Sequence, residues 1–292
     1  MTPVAPVAPP IHAVRAAVSA ALAEDLTPLG DLSAALVPAD ATAEASFVTR
    51  EVGSVAGTAC ATEAFAQVDD DVHVEWQVAD GDRVEPGQVL GIATGPLAPI
   101  LSAERTALNF LCHLSGIASL TARFADAAAS GGPARIWDTR KTTPGLRSLE
   151  KAAVRAGGGV SHRGNLSDWV MLKDNHLAAV GIAAAVQMAR DTWPARTVHV
   201  EVDDLDALRE ALDAATDAIL LDNFSPEQAA AGVALVDEWE QRTGRHRPWL
   251  ECSGGITLET VAAYAASGVD LLSTSQITQS APALDIGLDI RS

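Results

Sequence analysis

Arg140, Lys141, Arg147, Lys151, Arg155, His162, Arg163 and Lys173 all fall between residues 135 and 176, a stretch that holds every lysine of the chain. The whole chain carries 20 Lys+Arg against 38 Asp+Glu, a net charge of −18. A cationic concentration inside an anion-repelling chain predicts a pocket that collects a multiply anionic small molecule, because clustered cations focus a local field. Arg147, Lys151 and Arg155 are spaced four apart, share one helix face, and read equally well as a solvated surface. Arg140-Lys141, His162-Arg163 and Lys173 stand where apolar runs end, which a solvated face does not explain. Arginine binds carboxylates bidentately, so these cations suit an acid.

Other residues supply complementary chemistry. Glu201 and Asp222 end neighbouring apolar runs. Paired carboxylates there suit Mg²⁺, which binds through one or two carboxylates plus substrate phosphates; they read equally as salt-bridge partners of Lys141 or Lys173. Gly254-Gly255 after Ser253 predicts backbone N–H groups at a helix start, free to hold a phosphate. Ser273-Thr274-Ser275 adds hydroxyls nearby. Asp203 and Asp204 read as caps of the following helix. The set offers a phosphate end, a metal or diphosphate middle and a carboxylate end.

The elements that must position these residues are legible in order. Residues 11–26 read as an amphipathic helix behind a loose Pro/Ala tail. Residues 43–50 alternate like a half-buried strand, and residues 72–97 give two strands round a Gly/Pro-rich turn. That turn, Gly81 to Gln88, resembles carrier domains of the biotinyl or lipoyl type without the carrier lysine. A long helix is predicted from Ser102 to Ser130, with Cys112 and His113 as satisfied core residues. From residue 134, apolar runs at 135–138, 168–172, 197–202, 217–221, 249–252 and 269–272 alternate with helices at about 147–156, 178–190, 204–214, 226–241 and 257–266. Such alternation predicts a parallel sheet with helices outside. Polar residues end all of these strands, as on the active rim of an α/β barrel.

Composition narrows the function. A length of 292 residues and 48% hydrophobic content allow one large α/β domain with a smaller companion. The acidic balance argues against nucleic acid. No run approaches the roughly 18 apolar residues of a membrane span, and no secretory signal is evident. Three cysteines, far apart, indicate neither a disulfide framework nor a zinc knuckle. A cytoplasmic enzyme is expected.

The strings ERTALNFLCHLSGIAS, DTRKTTPGLRSLEKAAVRAGGG, SHR…KDNH, LLDNF, SGGI and LDIGL, in this order, resemble the quinolinate phosphoribosyltransferase family over nearly the whole chain. The resemblance implies an N-terminal α/β sandwich (1–115), an incomplete six-stranded α/β barrel (116–279) and a tail, about 280–292, packed back on the first domain. It implies a homodimer, possibly a hexamer, in which Arg105 is lent across subunits. It implies that quinolinate and phosphoribosyl pyrophosphate give nicotinate mononucleotide, pyrophosphate and CO₂ with Mg²⁺. Thr139, Arg140, His162, Arg163 and Lys173 then match the acid site. Lys141, Glu201 and Asp222 match the ribose, diphosphate and metal contacts. Ser253, Gly254, Gly255 and the loop Ser273, Thr274, Ser275, Gln276 match the phosphate site. Two departures stand out: Ser275 and Gln279 replace the family's usual glycine and histidine, and Gly164-Asn165 alters the loop after Arg163. Alternatives are a paralogous transferase of the molybdenum-transport type acting on another acid, an aldolase using Lys173, and a non-catalytic ligand sensor.

Overall fold

The computed structural model describes residues 8–291, so the expected Pro/Ala tail at 1–7 lies outside the described residues. The chain divides into two compact units: residues 1–122, 141–158 and 277–292 form one, and residues 123–140 and 159–276 form the other.

In the first unit, α1 (Ile11–Leu26) buries Val14, Val18 and Leu22, one stripe at spacing four. The strand β1 (Thr42–Thr49) is followed by a two-residue β2 (Gly53–Ser54), the helix α2 (Thr58–Val68) and the strands β3 (His73–Trp76), β4 (Arg83–Val84) and β5 (Val89–Pro96). Strands β3, β5 and β1 pair antiparallel, and the C-terminal strand Ile286–Arg291 adds to the other edge of β1. The turn Gly81–Gln88 contains β4, which pairs with β2 as a separate ribbon. Ala45, Ser46 and Phe47 are buried in succession, so β1 is covered on both faces rather than half-exposed as its alternation predicts. Phe47 stacks on Trp76 at 4.9 Å and meets Phe65 edge-on at 6.0 Å. Gly91 makes room for this stack, since a Cβ there would fall 2.7 Å from the Trp76 ring.

The long helix α3 (Leu97–Gly131) begins five residues before Ser102 and supplies residues to both units. Pro99 sits in its first turn, where a missing N–H costs nothing, so the proline does not mark a break. The strand β6 (Arg135–Trp137) belongs to the second unit, but α4 (Arg147–Ala156) groups with the first, although strand–helix alternation places it in the barrel. Gly157, at its end, lies so near α3 that a Cβ would come within 2.3 Å of the Ala118 carbonyl oxygen. Lys151 is 5% exposed and Glu150 is 0% exposed, so the face carrying Lys151 is not the solvated surface its spacing allows. His113 Nε2 meets Glu150 Oε1 at 3.0 Å, and Cys112 Sγ donates to the Ile286 carbonyl at 3.5 Å. Both therefore have partners, but neither is a core residue as expected: each is only half-buried, and the His113 side chain is 35% exposed.

The second unit continues with β7 (Val170–Leu172), α5 (Asp174–Leu177), α6 (Ile182–Thr192), β8 (Val198–Val202), α7 (Leu205–Asp213), β9 (Ala218–Asp222), α8 (Pro226–Thr243), β10 (Trp249–Ser253), α9 (Val261–Ala266) and β11 (Leu271–Ser273). A last helix, α10 (Gln276–Gln279), leads to the C-terminal strand, β12. The six strands lie parallel in the order β6-β11-β10-β9-β8-β7. β6 and β7 do not pair, so the barrel is incomplete. Ser225 caps α8 as expected, with Gln228 returning the capping-box bond and Pro226 at the first position. Thr257, expected to start α9, instead opens a turn that ends in Thr260 at the cap position.

Side-chain parity explains why this sheet carries chemistry. Val198, Val200, Val202, Ile219, Leu221, Leu250, Cys252 and Leu272 are buried apolar residues on one face. His199, Glu201, Asp222, Glu251, Ser253 and Ser273 occupy the alternate positions, hence the opposite face. The apolar face packs on helices, and the polar face lines the barrel.

Candidate active site

The second unit gathers most of the residues named from sequence. Lys173, just past β7, forms an ion pair with Glu201, the fourth residue of β8. Glu201 therefore takes the salt-bridge reading with Lys173, and it still lines a cavity of about 380 Å³ together with Asp222, Asp203 and Asp174. Asp222 lies beside Ser253 in the sheet register and accepts a bond from Asn223 Nδ2 at 2.7 Å. Oxygen atoms alone face this cavity from the acidic side chains, a donor set that suits a hard divalent cation. Asp204 caps α7, accepting from the Asp206 and Ala207 amides at 2.9 and 2.7 Å. Asp203 makes no such bond among the described residues.

Behind this rim lies a cationic cluster. Arg163 is 7% exposed, and burial together with neighbouring Arg140 pushes its pKa down, while Asp168 and Glu251 oppose that shift. His162 sits on the loop between α4 and β7, its backbone N–H donating to Asp138 Oδ1 at 2.8 Å. Gly164-Asn165 forms a self-contained turn: the Gly164 amide donates to Asp168 Oδ2 at 2.6 Å and the Ser167 amide to Asn165 Oδ1 at 2.7 Å.

Two residues absent from the sequence reading complete the cluster. His199 and Glu251 are each 1% exposed. Glu251 Oε2 stands 3.5 Å from His162 Nε2 and 3.4 Å from His199 Nε2, longer than strong hydrogen bonds, so the attraction is mainly electrostatic. Burial pushes Glu251 up, but His162, His199 and the Ser273 hydroxyl bring its pKa below the ordinary carboxylate value. His199 goes the other way: burial, with help from His162, Arg163 and Lys173 and against Glu251, lowers it to about 4. The barrel interior thus holds an ionised carboxylate beside a neutral imidazole. His199 shares its parity with Glu201, and Glu251 with Ser253. Counting back two residues from the recognised strand ends finds both.

The phosphate set is arranged differently from its simplest sequence reading. Gly254 and Gly255 have φ of +94° and +66°, which glycine adopts without strain. A Cβ on Gly254 would fall 2.2 Å from Asn223 Oδ1. These glycines form a bend well before α9, not the N-terminus of that helix. Thr274 is 6% exposed, with its hydroxyl on the Ile256 carbonyl at 3.2 Å, and Ser273 is 3% exposed beside Glu251. Ser253, Gly254, Ser275 and Gln276 remain partly accessible. Thr139 and Arg140 belong to the second unit. Arg105 and Lys141 are exposed residues of the first, with the Lys141 carbonyl accepting from Thr278 Oγ1 at 2.7 Å.

Parallel strands whose C-terminal ends carry cations beside carboxylates define a class, an α/β-barrel enzyme for anionic reactants. Comparison with known proteins narrows it. The family description "Quinolinate phosphoribosyl transferase, C-terminal domain" matches residues 117–289, and its N-terminal counterpart matches 31–115. The chain is 43% identical over 284 residues to the nicotinate-nucleotide pyrophosphorylase [carboxylating] of Mycobacterium leprae, covering 95% of this chain and 97% of that one. It is 40% identical over 263 residues to the probable enzyme of that name from Bacillus subtilis, covering 89% and 88%. The solved nicotinate-nucleotide pyrophosphorylase from Francisella tularensis superposes with a TM-score of 0.91 at 35% identity, covering 97% of each chain. The chain belongs to the quinolinate phosphoribosyltransferase family.

Proposed function

We propose that this enzyme transfers the phosphoribosyl group of phosphoribosyl pyrophosphate to the ring nitrogen of quinolinate, releasing pyrophosphate and CO₂ and leaving nicotinate mononucleotide. The observation that carries the reading is the Lys173–Glu201 ion pair at two strand ends, with Glu201 and Asp222 lining one cavity and the Arg140 and Arg163 cations close enough to each other to interact in the same unit. The names of the relatives support the same assignment.

In this reading Arg140, His162, Arg163 and Lys173, with Thr139 beside them, hold the two carboxylates of the acid. The quinolinate nitrogen is itself the nucleophile, so the enzyme's task is positioning. Glu201 and Asp222 offset positive charge as the sugar centre becomes oxocarbenium-like, and Lys141 attracts the departing diphosphate. Glu201 and Asp222 would also hold Mg²⁺, which when bound would neutralise diphosphate charge. Ser253, Gly254, Gly255, Ser275 and Gln276 take the 5′-phosphate, with Ser273 and Thr274 shaping the wall behind them. Once the nitrogen is quaternary, its positive charge stabilises the electron pair left at C2 as CO₂ departs, and a proton from solvent then takes that position. The working form is a cytoplasmic homodimer in which Arg105 reaches the acid of the other copy.

The test is an assay of quinolinate-dependent pyrophosphate and CO₂ release, with nicotinate as the control acid. Release with quinolinate and not with nicotinate is expected. Pyrophosphate release with nicotinate, which has no 2-carboxylate to lose, and none with quinolinate points to a transferase acting on another acid. Tight binding of phosphoribosyl pyrophosphate without release points to a ligand sensor.

A further inference from the structure

A second cavity, of about 640 Å³, opens at the other end of the barrel strands. Its walls come from Arg135, Ala218, Trp249 and Leu271, the first residues of β6, β9, β10 and β11, from the loop before β10 and from Trp137 at the end of the short β6, whereas Glu201, Asp222 and Ser253 stand at or near strand C-termini. The volume lies within the ~300–1,000 Å³ range of small-molecule sites. Four of the chain's six tryptophans line it: Trp137, Trp169, Trp239 and Trp249. Three arginines, Arg135, Arg245 and Arg247, line it with one carboxylate, Asp217, in a chain of net charge −18; Arg247 also pairs with Asp270 at 3.0 Å and Asp217 with Arg190 at 3.4 Å.

The unmet hydrogen bonds point to a ligand type. Trp137 Nε1, Trp169 Nε1 and Arg247 Nε are buried without a hydrogen-bond partner. All are donors only. A buried donor left unpaired costs about 1–3 kcal/mol, so an occupant rich in acceptors is favoured here. Indole faces and guanidinium groups together suit a flat ring bearing a negative charge.

The inner wall of this cavity is also the wall behind His162. Trp137 and Trp169 each pack 5.0 Å from the His162 ring, and His199, 1% exposed and lining the cavity, lies 6.0 Å from it. We propose that the cavity is a second ligand site for a planar aromatic anion, an aromatic carboxylate or a nucleoside monophosphate, whose occupancy shifts the grip of His162 on the acid. The binding claim stands on the cavity alone; the coupling claim rests also on the function proposed above.

Titration of the full-length enzyme with adenosine monophosphate, with 1-naphthoate and with inorganic phosphate, followed by tryptophan fluorescence and calorimetry, tests the binding claim. One of the two aromatic anions is expected to saturate one site per chain and to bind Lys173→Ala equally well. Affinity should fall about tenfold or more in Arg245→Glu/Trp249→Ala, a double variant of exposed rim residues. Saturation by phosphate alone, by neither aromatic anion, or unchanged affinity in the double variant would overturn the proposal. For coupling, the bound anion should change KM for quinolinate about fivefold in the parent enzyme and not in the double variant. An unchanged KM removes the coupling whatever the binding result, and the calorimetry remains readable if quinolinate is not the substrate.

Discussion

At the residue scale, the barrel interior makes acid the enzyme's weak side. His199 has an ordinary pKa of 6.5 that folding lowers to about 4. Between those values the unfolded chain binds a proton that the folded chain refuses, so stability rises with pH across that window. The contribution is complete above the upper value and lost below the lower one. Glu251, also lowered, acts in the same direction: its contribution is present above its ordinary range and disappears as the folded group protonates. Thermal unfolding followed from pH 7 to pH 4 should show a falling Tm, and His199→Gln should flatten the fall. A slope indifferent to that substitution would remove His199 from the account. Lys173→Ala should lower kcat/KM by about 100-fold or more, with Tm nearly unchanged because the side chain is 41% exposed. Gly254→Ala should cost about 1–3 kcal/mol, since it meets both a left-handed φ and the Asn223 side chain; a denaturant midpoint gives the figure.

At the element scale, two aspartates of the second unit separate structure from chemistry. Asp204→Ala removes the α7 cap and should cost about 1 kcal/mol while leaving turnover intact. Asp222→Asn should do the reverse, abolishing turnover with little change in the unfolding midpoint. Apolar runs and the strands they form agree closely, because a strand covered by helices needs Val, Ile and Leu at alternate positions. Strand ends were legible for the same reason: polar residues mark where the covering stops. What escaped was chemistry inside the runs. His199 and Glu251 sit among apolar neighbours, and only the parity of the pleat reveals that they face inward. The start of α3 was hidden by Pro99, which reads as a breaker until its first-turn position is known. The grouping of α4 with the first unit was not legible at all, because it depends on Gly157 approaching Ala118 and on Glu150 meeting His113, contacts between residues far apart in sequence.

At the scale of the whole molecule, the family reading makes a prediction about assembly. Arg105 is exposed on the first unit, and in the proposed dimer it serves the other copy. Arg105→Ala and Lys173→Ala should each be inactive alone. Mixed, after subunit exchange, they should recover activity, because one pairing restores an intact site. Mixtures that stay inactive while exchange is demonstrated would place Arg105 in its own subunit's chemistry or outside it. No helix among the described residues is long and apolar enough to cross a membrane.

The barrel's unpaired seam carries one more implication. Between β6 and β7 no direct ladder sets the width of the ring; the free edge of β6 holds only a single backbone bridge to Val160, with amide bonds of 2.8 and 3.2 Å, and a pair of stacked indoles, Trp137 and Trp169, 6.0 Å apart, lies at the gap. A wall fastened by one bridge and a pair of rings yields more readily than one fastened by a full ladder. Amide protons of β7 should therefore exchange with solvent sooner than those of β9, which is paired on both sides, and trimming either indole should loosen that staple without melting the rest of the ring.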